Sequence, residues 1–381
     1  MKSLRDIVDS SPQLRALETR SSLQGDESAE PLAPAQWNWS DVRKVLVVRL
    51  RSIGDTVLAT PSLSALRRFL PEAEIDILVE DWVAPVLEGH SAINKVITME
   101  RKSLASRARV ARELRSTRYD VVYNLHGGTT ATLLTRATGA THRVGYATYQ
   151  YSHLHNHQAP AASVLWQQSK THSVEQQLAL LGWTGVPVTD RPPTQLAVTS
   201  TSLAAVDELL RTANLEGKEF ALIHPAAAFA TKQWAADKFA RVVEFLAERK
   251  VESVAIAGPN ETDVVNELIS TSSTKVTSLS LKLPEVTALA SRAKLFVGND
   301  SGIAHIASAV GAPSVVIFGS SNIAHWRPWN PAPAEVVFEE MECQPCHGYY
   351  CERFEQPECI LRVPVSRVTA AIDRVLATTH S

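Results

Sequence analysis

One pattern limits what this chain can fold into: a short apolar run, a polar turn, then apolar residues at helical spacing, repeated along its length. Val45-Leu46-Val47-Val48 predicts a strand covered on both faces, because it is a short continuous apolar run. After Arg51-Ser52-Ile53-Gly54-Asp55 come Val57, Leu58, Leu63, Leu66, Phe69 and Leu70 at near-helical spacing. Strands are expected again at Ile75–Val79, Lys95–Met99 and Asp120–Asn124, with a basic helix over Lys102–Ser116. A less regular stretch from about 140 to 200, with Pro187, Pro192 and Pro193 near its end, is read as the link to a second block. That block places strands at Phe220–His224, Ser253–Ala257, Val276–Leu279, Leu295–Val297 and Ser314–Phe318, with helices between them. Alternation of this kind builds β-α-β units, hence parallel sheets with helices on both faces. Ligands in such sheets bind outside the carboxyl ends of the strands. The expected fold is therefore α/β: two facing, Rossmann-like, doubly wound domains with a central cleft.

The chain has 381 residues, too many for one ordinary core, and divides on this reading into domains at 41–195 and 196–381. Residues 1–40, rich in Ser, Glu, Pro and Gln and interrupted by Pro12, Pro31 and Pro34, are expected to form a flexible extension, with at most a short helix around Leu4–Val8. Pattern alone does not assign the last helix, about Ser366–Ala377, to either domain. A formal net charge of −2 gives no basic field, which excludes nucleic acid as the main partner. No run approaches the roughly 18 apolar residues needed to span a bilayer. The first 40 residues lack the apolar stretch of a secretory signal. A cytoplasmic chain with reduced cysteines is expected.

The strongest local signal is Gly298-Asn299-Asp300-Ser301-Gly302-Ile303-Ala304-His305, where a strand ends and a helix begins. Such a turn presents free backbone N–H groups and the positive end of a helix, which suits a phosphate. Ser301 adds a hydroxyl, Gly302 permits close backbone approach, and His305 lies one turn further on. Read blandly, Asp300 or Ser301 is an ordinary helix cap. A second candidate loop, His224-Pro225-Ala226-Ala227-Ala228 and on to Lys232, also follows a strand, and its lysine can neutralise a diphosphate or simply be solvated. Glu261, after the next strand, either accepts hydrogen bonds from ribose hydroxyls or favours a helix dipole. In the first block Asp55 is either a helix cap or a general base facing the cleft.

Taken together, three segments resemble glycosyltransferase family 9, whose best-known members transfer heptose from ADP-heptose to the lipopolysaccharide inner core. They are VLVVRLRSIGDTVLATP (45–61), IHPAAAFATKQWAADKF (223–239) and FVGNDSGIAHIASAVGAPSVVIFG (296–319), with His325-Trp326-Arg327-Pro328 continuing the last. The likeness runs from about residue 43 to the C-terminus. It implies the GT-B arrangement, with the first domain binding a glycan or glycolipid acceptor and the second a nucleotide-sugar donor. It implies Asp55 as catalytic base, with Lys232 and the Asp300-Ser301-Gly302-His305 loop holding the donor's diphosphate and Glu261 its ribose. Ala226-Ala227-Ala228 departs from the family pattern, so that loop offers backbone N–H groups in place of hydroxyls. The alternatives are another GT-B nucleotide-sugar enzyme, a non-heptose transferase or an epimerase, and a non-catalytic binder.

No Asp-x-Asp motif stands in a suitable loop, so no required metal is expected. Cys343, Cys346, Cys351 and Cys359, with His347 nearby, are enough for a structural zinc site, but reduced, unliganded thiols are the preferred reading. The run Arg101, Lys102, Arg107, Arg109, Arg112, Arg115, Arg118 is expected to be a solvated face; the alternative is contact with an anionic acceptor or the inner leaflet of the inner membrane. His126, after the fourth strand, either faces the cleft or packs in its loop.

Overall fold

A computed structural model describes residues 29–346 and 349–378. The first half runs β1 (Lys44–Val48), α1 (Ile53–Val57), α2 (Thr60–Phe69), β2 (Glu74–Glu80), β3 (Lys95–Met99), α3 (Leu104–Thr117), β4 (Val121–Asn124), α4 (Thr129–Thr138), β5 (His142–Tyr146), β6 (His157–Ala159) and α5 (Ser173–Trp183). The second runs α6 (Ser200–Thr212), β7 (Phe220–His224), α7 (Ala236–Glu248), β8 (Glu252–Ile256), α8 (Thr262–Thr271), β9 (Val276–Leu279), α9 (Leu283–Arg292), β10 (Leu295–Asn299), α10 (Gly302–Ala309), β11 (Ser314–Phe318), β12 (Ala334–Phe338) and α11 (Val365–Thr378).

Among the described residues each half contains a six-stranded sheet, ordered β3-β2-β1-β4-β5-β6 in the first and β12-β11-β10-β7-β8-β9 in the second. Every strand pairs in parallel with its neighbours. Read from its own first strand, the second sheet repeats the order of the first. Both are doubly wound, and their order reverses between β1 and β4 and between β7 and β10. Val45–Val48 and all of β7 and β10 are buried, as strands covered by helices on both faces must be. Pro61 and Pro284 stand in the first turns of α2 and α9, where a missing N–H costs nothing, and Gly139 ends α4 in the left-handed conformation.

Three expectations change. Of the extension expected over 1–40, residues 1–28 with the helix read at Leu4–Val8 lie outside the described residues, but 29–40 lie against the first half. Leu32 N–H donates to Gly182 O (3.0 Å), and Val188 N–H donates to Glu30 O (2.9 Å). Trp37 stacks on His142 at 4.2 Å, and Trp39 donates its indole N–H to Thr184 O (3.0 Å) while meeting Phe69 edge-on. Pro31 and Pro34 interrupt any helix here, yet two tryptophans are enough to dock an irregular segment. The link is also narrower than 140–200, because β5, β6 and α5 fall inside that stretch. β5 and β6 carry His, Arg, Gly and Gln, so they lack the apolar run that marks the other strands. Finally, α11 packs on α7, β11 and β12, and so belongs with the second half.

The halves meet through α1 and α10, and again where His172 stacks on Trp329 (4.5 Å) and its Nε2 lies 2.9 Å from Arg327 O. None of the described helices is long and apolar enough to cross a membrane. Trp39→Ala is expected to cost about 2 kcal/mol in urea unfolding, below the value for a fully buried tryptophan because the ring is only partly buried; an unchanged midpoint would mean that 29–40 is not docked.

Candidate active site

Both sheets turn their carboxyl ends to the α1–α10 contact, and the loops after β1, β4, β7, β8, β10 and β11 supply its side chains. Two glycines let the halves approach. A Cβ on Gly54 would stand 2.7 Å from Cδ2 of His305, and one on Gly302 would stand 2.8 Å from the Cβ of Ile53. Asp55, the residue after Gly54, is thereby carried to the start of α10.

Asp55 is the third residue of α1 and accepts from the backbone N–H (3.2 Å) and the hydroxyl (3.1 Å) of Ser52. The capping geometry weighed from the sequence is thus present. It occurs together with an ion pair, because Arg49 directs a guanidinium nitrogen at Asp55 Oδ1. Burial alone would raise the carboxyl's pKa, but the Arg49 charge and the Ser52 hydrogen bonds outweigh it and hold the group below the usual aspartate range. Asp55 is therefore ionised at neutral pH. Arg49 donates its other terminal nitrogen to Leu125 O, tying the β1 loop to the β4 loop.

In the second half Lys232 Nζ lies 2.8 Å from Asp300 Oδ2, with Asp300 buried and Lys232 still partly open. The Ser321 hydroxyl donates to the same oxygen. The Lys232 loop is held on the end of β11: Ser320 N–H donates to Thr231 O (3.1 Å), and a Cβ on Gly319 would stand 2.2 Å from that oxygen, so only glycine fits. Ser301 does not present a free hydroxyl. It lies 3.2 Å from His224 Nδ1, and His224 Nε2 lies 3.3 Å from Glu261 Oε2, which also accepts from Gly258 N–H (2.7 Å). Both Glu261 bonds fall on Oε2. The His224 hydrogen bond is the main reason its pKa is lowered. His305 is buried, and burial lowers its pKa, partly opposed by the Asp300 and Asp55 charges.

Sequence reasoning missed Arg49, His224 and Ser321. Arg49 and His224 stand inside the quoted motifs and Ser321 two residues beyond the last, but no spacing rule shows which side chains will pair. Among the described residues no group of three or more His, Cys, Asp or Glu side chains could hold a metal ion. Cys343, Cys346, Cys351 and Cys359 are free thiols, and His347 lies outside the described residues.

A model of glycosyltransferase family 9 (heptosyltransferase) matches residues 107–355. The chain belongs to glycosyltransferase family 9. It is 29% identical over 346 residues to lipopolysaccharide heptosyltransferase 3 of Escherichia coli, covering 86% of this chain and 97% of that protein. Its fold is similar to the family 9 glycosyl transferase of Veillonella parvula (TM-score 0.77, 20% identity, 88% of this chain and 98% of that one). It is also similar to the E. coli ADP-heptose lps heptosyltransferase II (TM-score 0.73, 22% identity, 89% and 100%). The protein is a glycosyltransferase of GT-B fold.

Removing the Arg49 guanidinium leaves burial as the dominant influence on Asp55. In Arg49→Met, where the Ser52 hydrogen bonds alone oppose burial, the carboxyl is expected to titrate higher than in the parent, as read by carboxyl carbon NMR. An unchanged titration would show that the ion pair does not set it.

Proposed function

We propose that this family 9 enzyme transfers a heptose, with inversion, from ADP-heptose to the lipopolysaccharide core or a related glycan. The observation that carries the reading is the contact that brings Asp55 to the α10 terminus and Lys232. The names of the relatives in E. coli supply the sugar, the nucleotide and the acceptor class.

On this reading the donor's diphosphate lies at Lys232 and the free N–H groups at Gly302–Ile303, while Asp300 and Ser321 hold the lysine in place. A carboxylate has only acceptor atoms to offer, so Asp300 works by positioning Lys232 and not by touching phosphate. Ser301 and His224 act in the same indirect way, keeping Glu261 fixed with Oε1 left for the ribose. An acceptor hydroxyl attacks the anomeric carbon as Asp55 takes its proton. A new glycosidic C–O bond forms as the bond to the diphosphate breaks, and ADP leaves with its added charge met by Lys232 and the helix terminus.

A base with a depressed pKa is a weak one, and its use here depends on staying ionised next to a leaving group that carries negative charge. The ionised carboxylate disfavours a non-catalytic binder. No cofactor beyond the donor is part of the reading. A cytoplasmic site of action goes with it, with peripheral contact at the inner membrane where the cations of α3 would meet anionic headgroups.

Asp55→Asn is expected to lower transfer by about 10²–10⁴-fold with the ADP-induced rise in melting temperature retained; Lys232→Ala should reduce that rise. In a nucleotide panel ADP should stabilise the chain more than UDP or GDP at equal concentration. Wild-type turnover in Asp55→Asn, or a preference for UDP, would overturn the reading.

A further inference from the structure

The mechanism above gives His126 no role. It emerges after β4, the strand beside β1, and so at the same switch point as Asp55. Its loop is rigidly built. Asn124, fully buried, accepts on Oδ1 from the N–H groups of His126 (3.1 Å) and Gly127 (3.0 Å), and its amide donates to Thr132 Oγ1 (3.2 Å). Gly127 has φ +78°, and the Tyr149 ring lies 2.6 Å from where a Cβ would stand. Arg49 grips Leu125 O with one nitrogen and Asp55 with the other, so a single cation sets the imidazole's loop against the carboxylate.

The ring's surroundings decide where its proton sits. Nδ1 is buried with no partner among the described residues. Orphaned buried N–H groups are rarer than orphaned acceptors, so the proton belongs on Nε2. The ring borders a cavity of about 390 Å³ that Arg51, Lys102, Arg107, Thr129 and Thr130 also line. Burial, with Arg49 and Arg51 adding to it and Asp55 opposing, puts its pKa at about 4, so the ring is a neutral donor at pH 7.

We propose that His126 is a substrate-positioning residue whose Nε2–H donates to an oxygen of the acceptor glycan, holding the attacking hydroxyl beside Asp55. The proposal rests on the reading that the first half takes the acceptor. A neutral donor is well suited here, because it orients the acceptor's oxygen without competing for the proton that Asp55 removes.

Two variants test it, with ADP-heptose as donor and, as acceptor, deacylated inner-core lipopolysaccharide from a strain lacking this gene. Gln places an amide N–H near the position of Nε2, whereas the shorter Asn places it near Nδ1. His126→Asn should lower kcat/KM for the acceptor by about 10–100-fold, with the KM for ADP-heptose and the ADP thermal shift unchanged. His126→Gln should stay within about threefold of the parent, because the hydrogen bond is kept. Equal kcat/KM in the two variants, whether high or low, overturns the proposal. If Asp55→Asn, assayed alongside, is fully active, the underlying reading fails instead.

Discussion

The structure depends on a contact from which side chains have been removed. Gly54 and Gly302 face one another's helices across the two halves, and a methyl group on either would displace His305 or Ile53. In a packed interior a displacement of this kind moves backbone and costs about 1–3 kcal/mol. Here the cost would fall on function as well, because Asp55 follows Gly54 directly and the α10 terminus starts at Gly302. The same two residues that allow the halves to touch also determine how far the carboxylate stands from the first free N–H groups of the second half.

Around that contact the charges are paired within each half. Arg49 answers Asp55 in the first, and Lys232 answers Asp300 in the second. Each pair has one member that also fixes backbone or a neighbouring side chain: Arg49 through Leu125 O, Asp300 through Ser321. Partly buried ions held this way are expensive to leave unpaired, which is why truncating one partner of such a pair is more damaging than its Coulomb attraction suggests. A diphosphate arriving between the halves would find Lys232 already placed and only partly covered.

Much of the architecture was legible in the sequence because parallel strands covered on both faces must be apolar throughout. Val45–Val48 shows this, and so do Phe220–His224, Leu295–Asn299 and Ser314–Phe318 apart from their polar ends. The signal failed where strands carry polar residues, as at His142–Tyr146 and His157–Ala159, and where an irregular segment docks through two aromatic rings, as at Trp37 and Trp39. For the candidate site, the motifs named loops from which the structure brings Asp55, Lys232, Asp300, Gly302 and His305 to one place. What the sequence could not show is which groups are already occupied: the Ser301 hydroxyl turned to His224, the Asp300 carboxylate to Lys232, the Asp55 carboxylate to Arg49. Pairing depends on rotamers and on neighbours distant in the chain, and neither leaves a periodic trace.

The most direct test of the central claim is a crystal structure of the chain with ADP bound. The account predicts the diphosphate against the backbone N–H groups of Gly302 and Ile303, with Lys232 Nζ reaching it while held by Asp300 and with Asp55 on the facing wall. A diphosphate seated instead in the cation-lined cavity of Arg51, Lys102 and Arg107, or anywhere out of reach of Lys232 Nζ, would contradict it.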